Sequence, residues 1–257
     1  MALATGFMKE MYGVLGEVAI VHRGKKVFVR KRPIKSNKPP TELALAKKAK
    51  FGLAGKIAGK ISSIEDIKYF WKPDQDKNQS GYNRLFHANH GQFEIEDFSG
   101  KIVLSEGNGL EVLNPSIVFG ESGLVINCDS FESGDAEKQE AAKYIRTTGI
   151  IVLKNSRSEA CPEYDLMTFM TDMFPIVKGE KFSAKIKYLG GDLTKFRDYA
   201  VKKAFAVFIT CNGEWELTDI SKTVESDLAD KSVDVGSEGV IVSAHAESEG
   251  VEMREMR

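Results

Sequence analysis

Residues 53–62 contain two Gly-Lys pairs, the residue types that cradle a phosphate in nucleotide-binding loops. Such a loop needs a glycine where Ala54 stands and a serine or threonine hydroxyl where Ile61 stands. No strand-like segment precedes these residues, and their spacing favours a helix. We therefore predict a helix here and no nucleotide site.

A second pattern, Asp74, Asp76 and Asn78, resembles the start of a calcium-binding loop, in which oxygen ligands alternate along the chain. That loop also requires a glycine directly afterwards and a closing glutamate, and Gln79 and Leu85 occupy those positions. We predict a solvated turn.

The remaining candidates for catalysis or metal binding are isolated. His87 and His90 could share a helix face, but two ligands without a third do not form a zinc site. Ser122 lacks the spacing of a nucleophile elbow. The three cysteines include no C-x-x-C pair, and we expect free, buried thiols at Cys128, Cys161 and Cys211. We predict that the protein is not an enzyme and uses no metal and no cofactor.

Charge is distributed unevenly along the chain. The formal net charge is −1, yet residues 1–60 hold 14 Lys and Arg against 3 Asp and Glu, and residues 213–257 hold 12 acids against 4 bases. This asymmetry favours either binding to a polyanion or basic-to-acidic association between copies of the chain. A basic face that covers an acidic partner within one fold is the third explanation.

The basic side chains define the predicted binding site, for a partner or a polyanion. Alternation along a strand places Arg30 and Arg32 on one face and Lys31 on the other. Positive charge on an edge strand also prevents indiscriminate pairing, which explains part of the pattern without any function. The residues of this predicted site are Arg23, Lys25, Lys26, Arg30, Arg32, Lys35 and Lys38.

The length of 257 residues, with 42% hydrophobic and 28% charged residues, is typical of a globular chain and excludes wholesale disorder. No run of about 18 apolar residues could span a membrane as a helix. The first residues lack the features of an export signal, so a cytoplasmic location is the default expectation, with an assembled particle as an option.

Residues 12–32 predict a β-hairpin with its turn at residues 23–26, where Gly24 supplies the required backbone freedom. Thr41 is expected to cap a helix with an apolar stripe from Ala46 to Ile64, and the spacing of Gly55 and Gly59 permits close approach of another backbone. A second helix is predicted to begin at residue 81 and to be stopped by Gly91.

After residue 93, short β-rich runs recur about every ten residues and are separated by glycine-rich turns, a rhythm typical of a β-sandwich. The run at residues 181–188 alternates apolar and polar side chains, which predicts one wet face. The predicted strands are residues 101–105, 116–119, 124–128, 144–153, 166–174, 181–188, 204–210 and 214–218.

Three stretches together resemble an uncharacterised family of Bacteroidota proteins, a domain of unknown function. They are the hairpin segment at residues 24–30, the helix at residues 41–51, and the combination of Tyr82-Asn83 with residues 93–97 and 101–105. The helix matches the family pattern at Thr41, Leu45, Ala46, Ala49, Lys50 and Phe51. The resemblance covers about residues 12–128. It implies β-sandwich modules behind a basic N-terminal segment and implies no catalytic residues.

We therefore predict an α+β chain in which an N-terminal β-hairpin and two helices precede immunoglobulin-like antiparallel β-sandwich modules, one or two in number. The predicted domains are residues 1–92, residues 93–133 and residues 134–257, the last with an acidic tail. The predicted function is a structural protein that assembles with copies of itself into a filament, tube or phage-like particle, through strand addition and basic-to-acidic contacts. The alternative is nucleic-acid binding through the basic hairpin.

Overall fold

Alternating β-branched residues near the N-terminus form an antiparallel sheet, and the computed structural model shows it as part of the first of two compact units, Met1–Lys48 and Ala49–Arg257. The structure describes residues 2–3, 13–23, 26–32, 39–72, 79–120, 123–157, 161–177, 180–187 and 191–230.

The sheet of the first unit, called here the basic sheet, has the strand order β1-β4-β3-β2. Its β3–β4 pairing confirms the predicted hairpin, and Gly16, at φ +58°, turns the chain from β2 into β3. Among the residues that the structure describes, the apolar cluster of this sheet is small and consists of Ile20 and Val27 with Val29 packed against them. The strands are β1 (Ala2–Leu3), β2 (Gly13–Leu15), β3 (Val18–Arg23) and β4 (Lys26–Lys31).

The first helix begins where the sequence predicted, because Thr41 Oγ1 accepts a hydrogen bond from the backbone N–H of Ala44 at 3.3 Å. Three helices precede the main β region instead of the predicted two, since a short additional helix forms at residues 65–70. The helices are α1 (Glu42–Ser62), α2 (Glu65–Phe70), α3 (Gly81–Asn89), α4 (Ala136–Ala141) and α5 (Gly191–Arg197).

The predicted apolar stripe of α1 is correct only in the C-terminal half of the helix. Ile57 and Ile61 are fully buried, whereas Ala46 and Ala49 are exposed, because the apolar cluster under the helix contacts it only from Leu53 onward. The spacing of Gly55 and Gly59 permits close approach of another backbone, but no described backbone approaches either glycine so closely. A Cβ added at Gly55 would lie 3.9 Å from the side-chain oxygen of Tyr82. A Cβ added at Gly59 would meet no heavy atom of the described residues within 4 Å.

Two antiparallel sheets form the β layers of the second unit, and two-stranded pairs flank them. The central sheet has the order β12-β11-β15-β16, and a smaller sheet has the order β14-β9-β8. The strands are β5 (Phe93–Glu94), β6 (Ser99–Gly100), β7 (Leu110–Leu113), β8 (Ser116–Gly120), β9 (Gly123–Cys128), β10 (Ser130–Ser133), β11 (Tyr144–Ser156), β12 (Tyr164–Met170), β13 (Phe174–Pro175), β14 (Phe182–Lys187), β15 (Tyr199–Cys211), β16 (Leu217–Ile220), β17 (Val224–Glu225) and β18 (Ala229–Asp230).

Both faces of the central sheet are buried, because successive residues of a strand point to opposite faces. On one face, Ile150 of β11 joins the apolar cluster of the helices α1 to α3. On the other face, Ile151 joins the cluster formed with Leu124 and Phe182 of the smaller sheet. Helices, central sheet and smaller sheet thus form three layers within the second unit.

The predicted α+β class is confirmed: most strands are antiparallel, they form several sheets, and few helices are present. The alternation predicted for residues 181–188 is confirmed over β14, where Phe182 and Ala184 are buried and Lys185 is exposed.

No helix in the described part of the chain combines the length and hydropathy that crossing a membrane requires. The boundaries predicted at residues 92–93 and 133–134 stay predictions.

One predicted strand is absent and two have wrong bounds. Strand β12 ends at Met170 and not at residue 174, and β16 begins at Leu217 and not at residue 214. Residues 101–105 are irregular although Ile102 and Leu104 are buried. Side chains satisfy the backbone here in place of a ladder: Asn89 Oδ1 accepts from the N–H of Val103 at 2.8 Å, and Thr223 Oγ1 accepts from the N–H of Leu104 at 2.8 Å. The buried residues Ile102 and Leu104 therefore gave this segment the apolar pattern of a strand, although no strand forms here.

Candidate interaction surface

The basic sheet brings together several of the cations in the predicted binding site. Arg23 ends β3 and is the register partner of Lys26 at the start of β4, while Arg30 lies within β4 and Arg32 follows it. Lys25, Lys35 and Lys38 lie outside the described residues.

Three cations of this site have side chains that the structure describes, and all three are exposed. Lys26, Arg30 and Arg32 are exposed, and within the described ranges none of them forms an ion pair. Lys31, on the adjacent register position, is equally free of an acidic partner there. The charge of the sheet is therefore not neutralised by the described part of the chain.

The cations and the small apolar cluster are separated by strand alternation. Arg30 is the register partner of Ala19, on the face opposite Val27 and Val29, which confirms the predicted separation of Arg30 from Lys31. Phe28, half-buried, lies between Lys26 and Arg30 along the same face. One face of β4 therefore carries two cations with an aromatic ring between them.

The outer strand of the basic sheet carries exposed apolar side chains. β2 stands at the end of the strand order, and Val14 and Leu15 are 56% and 60% exposed. An edge strand presents unpaired backbone N–H and C=O groups that can pair with another strand. Within the described residues the outer edge of β2 is unpaired, and β3 separates this apolar strand from the cations of β4.

A cavity of about 670 Å³, called here the acidic cavity, lies beside α4 and β10 in the second unit. Apolar side chains line its interior, among them Phe131, Ala142 and Ile176. Three exposed carboxylates also line it: Glu132, Glu140 and Glu180. Within the described residues none of the three forms an ion pair, so the lining combines apolar surface with negative charge.

A buried polar network fixes the wall of this cavity. Asp219 of β16 is 1% exposed, accepts from Ser133 Oγ at 2.6 Å, and pairs with Lys138 Nζ at 3.0 Å. Asp135 caps α4 by accepting from the N–H groups of Glu137 and Lys138. Because a buried charge is costly unless it is paired and hydrogen-bonded, this network holds α4 and β10 to the central sheet.

Strand register places a further negative charge opposite one of these carboxylates. Glu111 of β7 is directly opposite Glu132 of β10, and both side chains are exposed. Like charges in such a pair repel each other, and a cation placed between them relieves the repulsion. Sequence analysis missed this acidic group, because Glu111 and Glu132 are far apart in the chain and only the β7–β10 register joins them.

The cysteines only partly follow the prediction. All three thiols are free, and Cys128 and Cys211 are buried, but Cys161 is half-buried, with its Sγ 3.9 Å from Asp198 Oδ2. The prediction of a buried thiol is therefore wrong for Cys161, which lies at the start of a surface segment before β12.

The remaining sequence motifs lie in or beside helices, or outside the described residues. Residues 53–62 are helical, as predicted, and belong to α1. His90 follows α3 and stacks on Phe86 with ring centroids 5.5 Å apart. Among the described residues no group of three His, Cys, Asp or Glu side chains could hold a metal ion. Residues 74–78 and Ser122 lie outside the described residues.

Comparison with known proteins gives no relative: no protein-family model matches the chain, and no curated protein matches it. The resemblance to the Bacteroidota family stays a prediction.

Proposed function

We propose that the protein is a non-enzymatic structural subunit that associates with copies of itself, as in a filament, a tube or a phage-like particle. The observation that carries the proposal is the basic sheet. It combines exposed cations that have no acidic partner among the described residues with an apolar strand, β2, whose outer edge no described strand pairs. Its small apolar cluster of Ile20, Val27 and Val29 also supports the proposal, because so few buried side chains stabilise a sheet only weakly. Association with another copy would bury more apolar surface.

Two contacts drive the proposed association. The edge strand β2 receives or donates a strand, which gives affinity through backbone hydrogen bonds. The cations Lys26, Arg30 and Arg32 attract an acidic surface of the next copy, which steers the encounter and sets the register. Both contacts use residues of the basic sheet.

We further propose that the two packed antiparallel sheets of the second unit belong to an immunoglobulin-like sandwich, the body of the subunit. The support is that two antiparallel sheets share one apolar cluster across their inner faces. Membership of the Bacteroidota family is part of the same proposal and rests on the sequence resemblance.

Light scattering after size-exclusion chromatography tests the function. We expect large species at about 50 mM salt that shrink at about 500 mM, because salt screens contacts between exposed charges. The variant Arg30→Glu/Arg32→Glu is expected to be monomeric at both salt concentrations. The matched control is Lys185→Glu/Lys187→Glu, which makes the same charge change on exposed residues of β14 and leaves the assembly intact.

A wild-type protein that stays monomeric at low salt and micromolar concentration contradicts the proposal. Assembly that both variants weaken equally also contradicts it, because only the net charge would then matter.

Nucleic-acid binding is the second candidate, and the face with Phe28 between Lys26 and Arg30 favours it, since single strands bind to cations and aromatic rings. Filter binding with single-stranded and duplex DNA tests this function. Retention that falls with salt by a log–log slope of about −0.9 per phosphate contact supports it. Absence of retention at about 50 mM salt excludes it.

A further inference from the structure

We propose that the acidic cavity is the acceptor for the basic sheet of a second copy of this chain. The inference rests on the proposed self-assembly and names the two surfaces that meet. Val14 of β2 shares a face of the sheet with Arg30 through the register Val14–Ala19–Arg30. In the proposed contact Val14 enters the cavity, and the cations on that face meet the carboxylates at its rim.

The cavity has the size and lining that such an occupant needs. Its volume of about 670 Å³ is within the range of protein ligand sites, and Phe131, Ile176 and Leu110 line it. Val14 of β2 is 56% exposed, lies on the same face as Arg30, and matches this lining. Burying it there removes apolar surface of both copies from water.

The charges of the two surfaces are complementary. The carboxylates of Glu132, Glu140 and Glu180 face a single lysine in the described lining, Lys143, whose Nζ already donates to the backbone O of Glu140 at 2.9 Å. Glu111 lies opposite Glu132 in the strand register and adds negative charge beside it. The unpaired cations of the basic sheet supply the counter-charge that the rim lacks.

Other occupants fit this cavity less well. A small anion is opposed by the three carboxylates of the lining. A metal ion needs a group of ligands that the described residues do not bring together. An apolar segment that carries cations satisfies both parts of the lining, and the first unit of the same chain contains one.

Because donor and acceptor are different surfaces, each copy has one of each. The contact is therefore heterologous, so that copies join head to tail into a ring or an open filament. A mixture of two variants, each with a different surface disabled, therefore distinguishes this contact from a symmetric one, in which the same surface of both copies would meet.

The test combines two chains, each with one surface disabled by charge reversal. The donor variant is Arg30→Glu/Arg32→Glu, and the rim variant is Glu132→Lys/Glu140→Lys. Each is expected to be monomeric alone at about 50 mM salt, with association weakened at least tenfold. An equimolar mixture is expected to assemble again, because the intact donor of the rim variant meets the intact acceptor of the donor variant, and the two reversed surfaces carry opposite charges. A chain with both reversals is expected to assemble again, since its charges are exchanged.

The matched control is Glu163→Lys/Glu214→Lys, which changes the same charge at exposed glutamates outside the cavity and should assemble like the wild type. Circular dichroism and thermal melting check that each variant folds, and Glu132→Gln/Glu140→Gln replaces the rim variant if the lysines prevent folding.

The possible failures separate the two proposals. Wild-type assembly that the donor variant abolishes and the rim variants leave intact overturns the acceptor alone. Mixtures that stay monomeric, while the wild type assembles, also overturn it. A wild type that is monomeric at low salt overturns both the acceptor and the proposed function.

Discussion

At the scale of single residues, the three thiols differ in their expected reactivity. Burial raises the pKa of Cys128 to about 11 and raises the pKa of Cys211 as well, whereas Cys161 is only half-buried. The thiolate is the reactive form, and about three pH units below its pKa a thiol is ionised in only about one molecule in a thousand. We predict that Ellman's reagent at about pH 8 modifies one thiol rapidly in the folded protein and that Cys161→Ser removes this fast phase.

Unfolding in about 6 M guanidinium is the control for that prediction, and all three thiols should then react at similar rates. Two or more fast thiols in the native protein would show that Cys128 or Cys211 is accessible, which contradicts the burial of both side chains.

Sequence analysis predicted the basic part of the candidate site and missed the acidic part. The exposure of Arg30 and its separation from Lys31 follow from strand alternation, a local rule that needs only neighbouring residues. The acidic rim depends on a long-range register, Glu111 with Glu132, and on α4 being held to β16 through Asp219. No local pattern contains such pairings, so sequence reasoning could not assemble the rim.

At the scale of secondary-structure elements, Gly149 in the middle of β11 tests the tight pairing of the central sheet. A Cβ there would collide with the backbone O of Phe205, and it would lie 2.7 Å from Phe169 Cζ and 2.9 Å from Ala206 Cα. We predict that Gly149→Ala lowers the free energy of unfolding by about 3 kcal/mol, the upper range for overpacking a core. Urea unfolding midpoints, with an unchanged slope, measure the effect.

The matched control is Gly52→Ala in α1, where an added Cβ meets no described heavy atom within 4 Å. This variant should raise the free energy of unfolding by about 1 kcal/mol, because alanine is the better helix former. Equal effects of the two substitutions would contradict the close pairing of β11 with its neighbours.

Element prediction succeeded where one periodicity dominates. The run at residues 144–153 became the core of β11, and the run at residues 204–210 became that of β15. It failed where tertiary contacts decide: α2 is only six residues long, and buried residues 101–105 are held by side chains of Asn89 and Thr223. Short elements contain too few residues for a period to show.

At the scale of the whole molecule, the two units have very unequal apolar cores. Among the described residues, the basic sheet has a cluster of Ile20, Val27 and Val29, and the two large clusters of the second unit include none before Leu53. Most of the described apolar burial therefore lies in the second unit. This inequality was not visible in the sequence, because hydrophobic residues occur in both units and only long-range pairing shows which of them are buried.

Deleting residues 1–40 separates assembly from folding, because the truncated chain keeps Thr41, the cap of α1, and all residues of the two large clusters. We predict that its melting temperature changes by no more than about 4 °C, which corresponds to roughly 1 kcal/mol in a chain of this size. The truncated chain should be monomeric at about 50 mM salt, since it lacks every cation of the basic sheet. Calorimetry and light scattering on the same sample measure both quantities. A truncated protein that assembles like the full chain would show that the basic sheet is not the assembling surface.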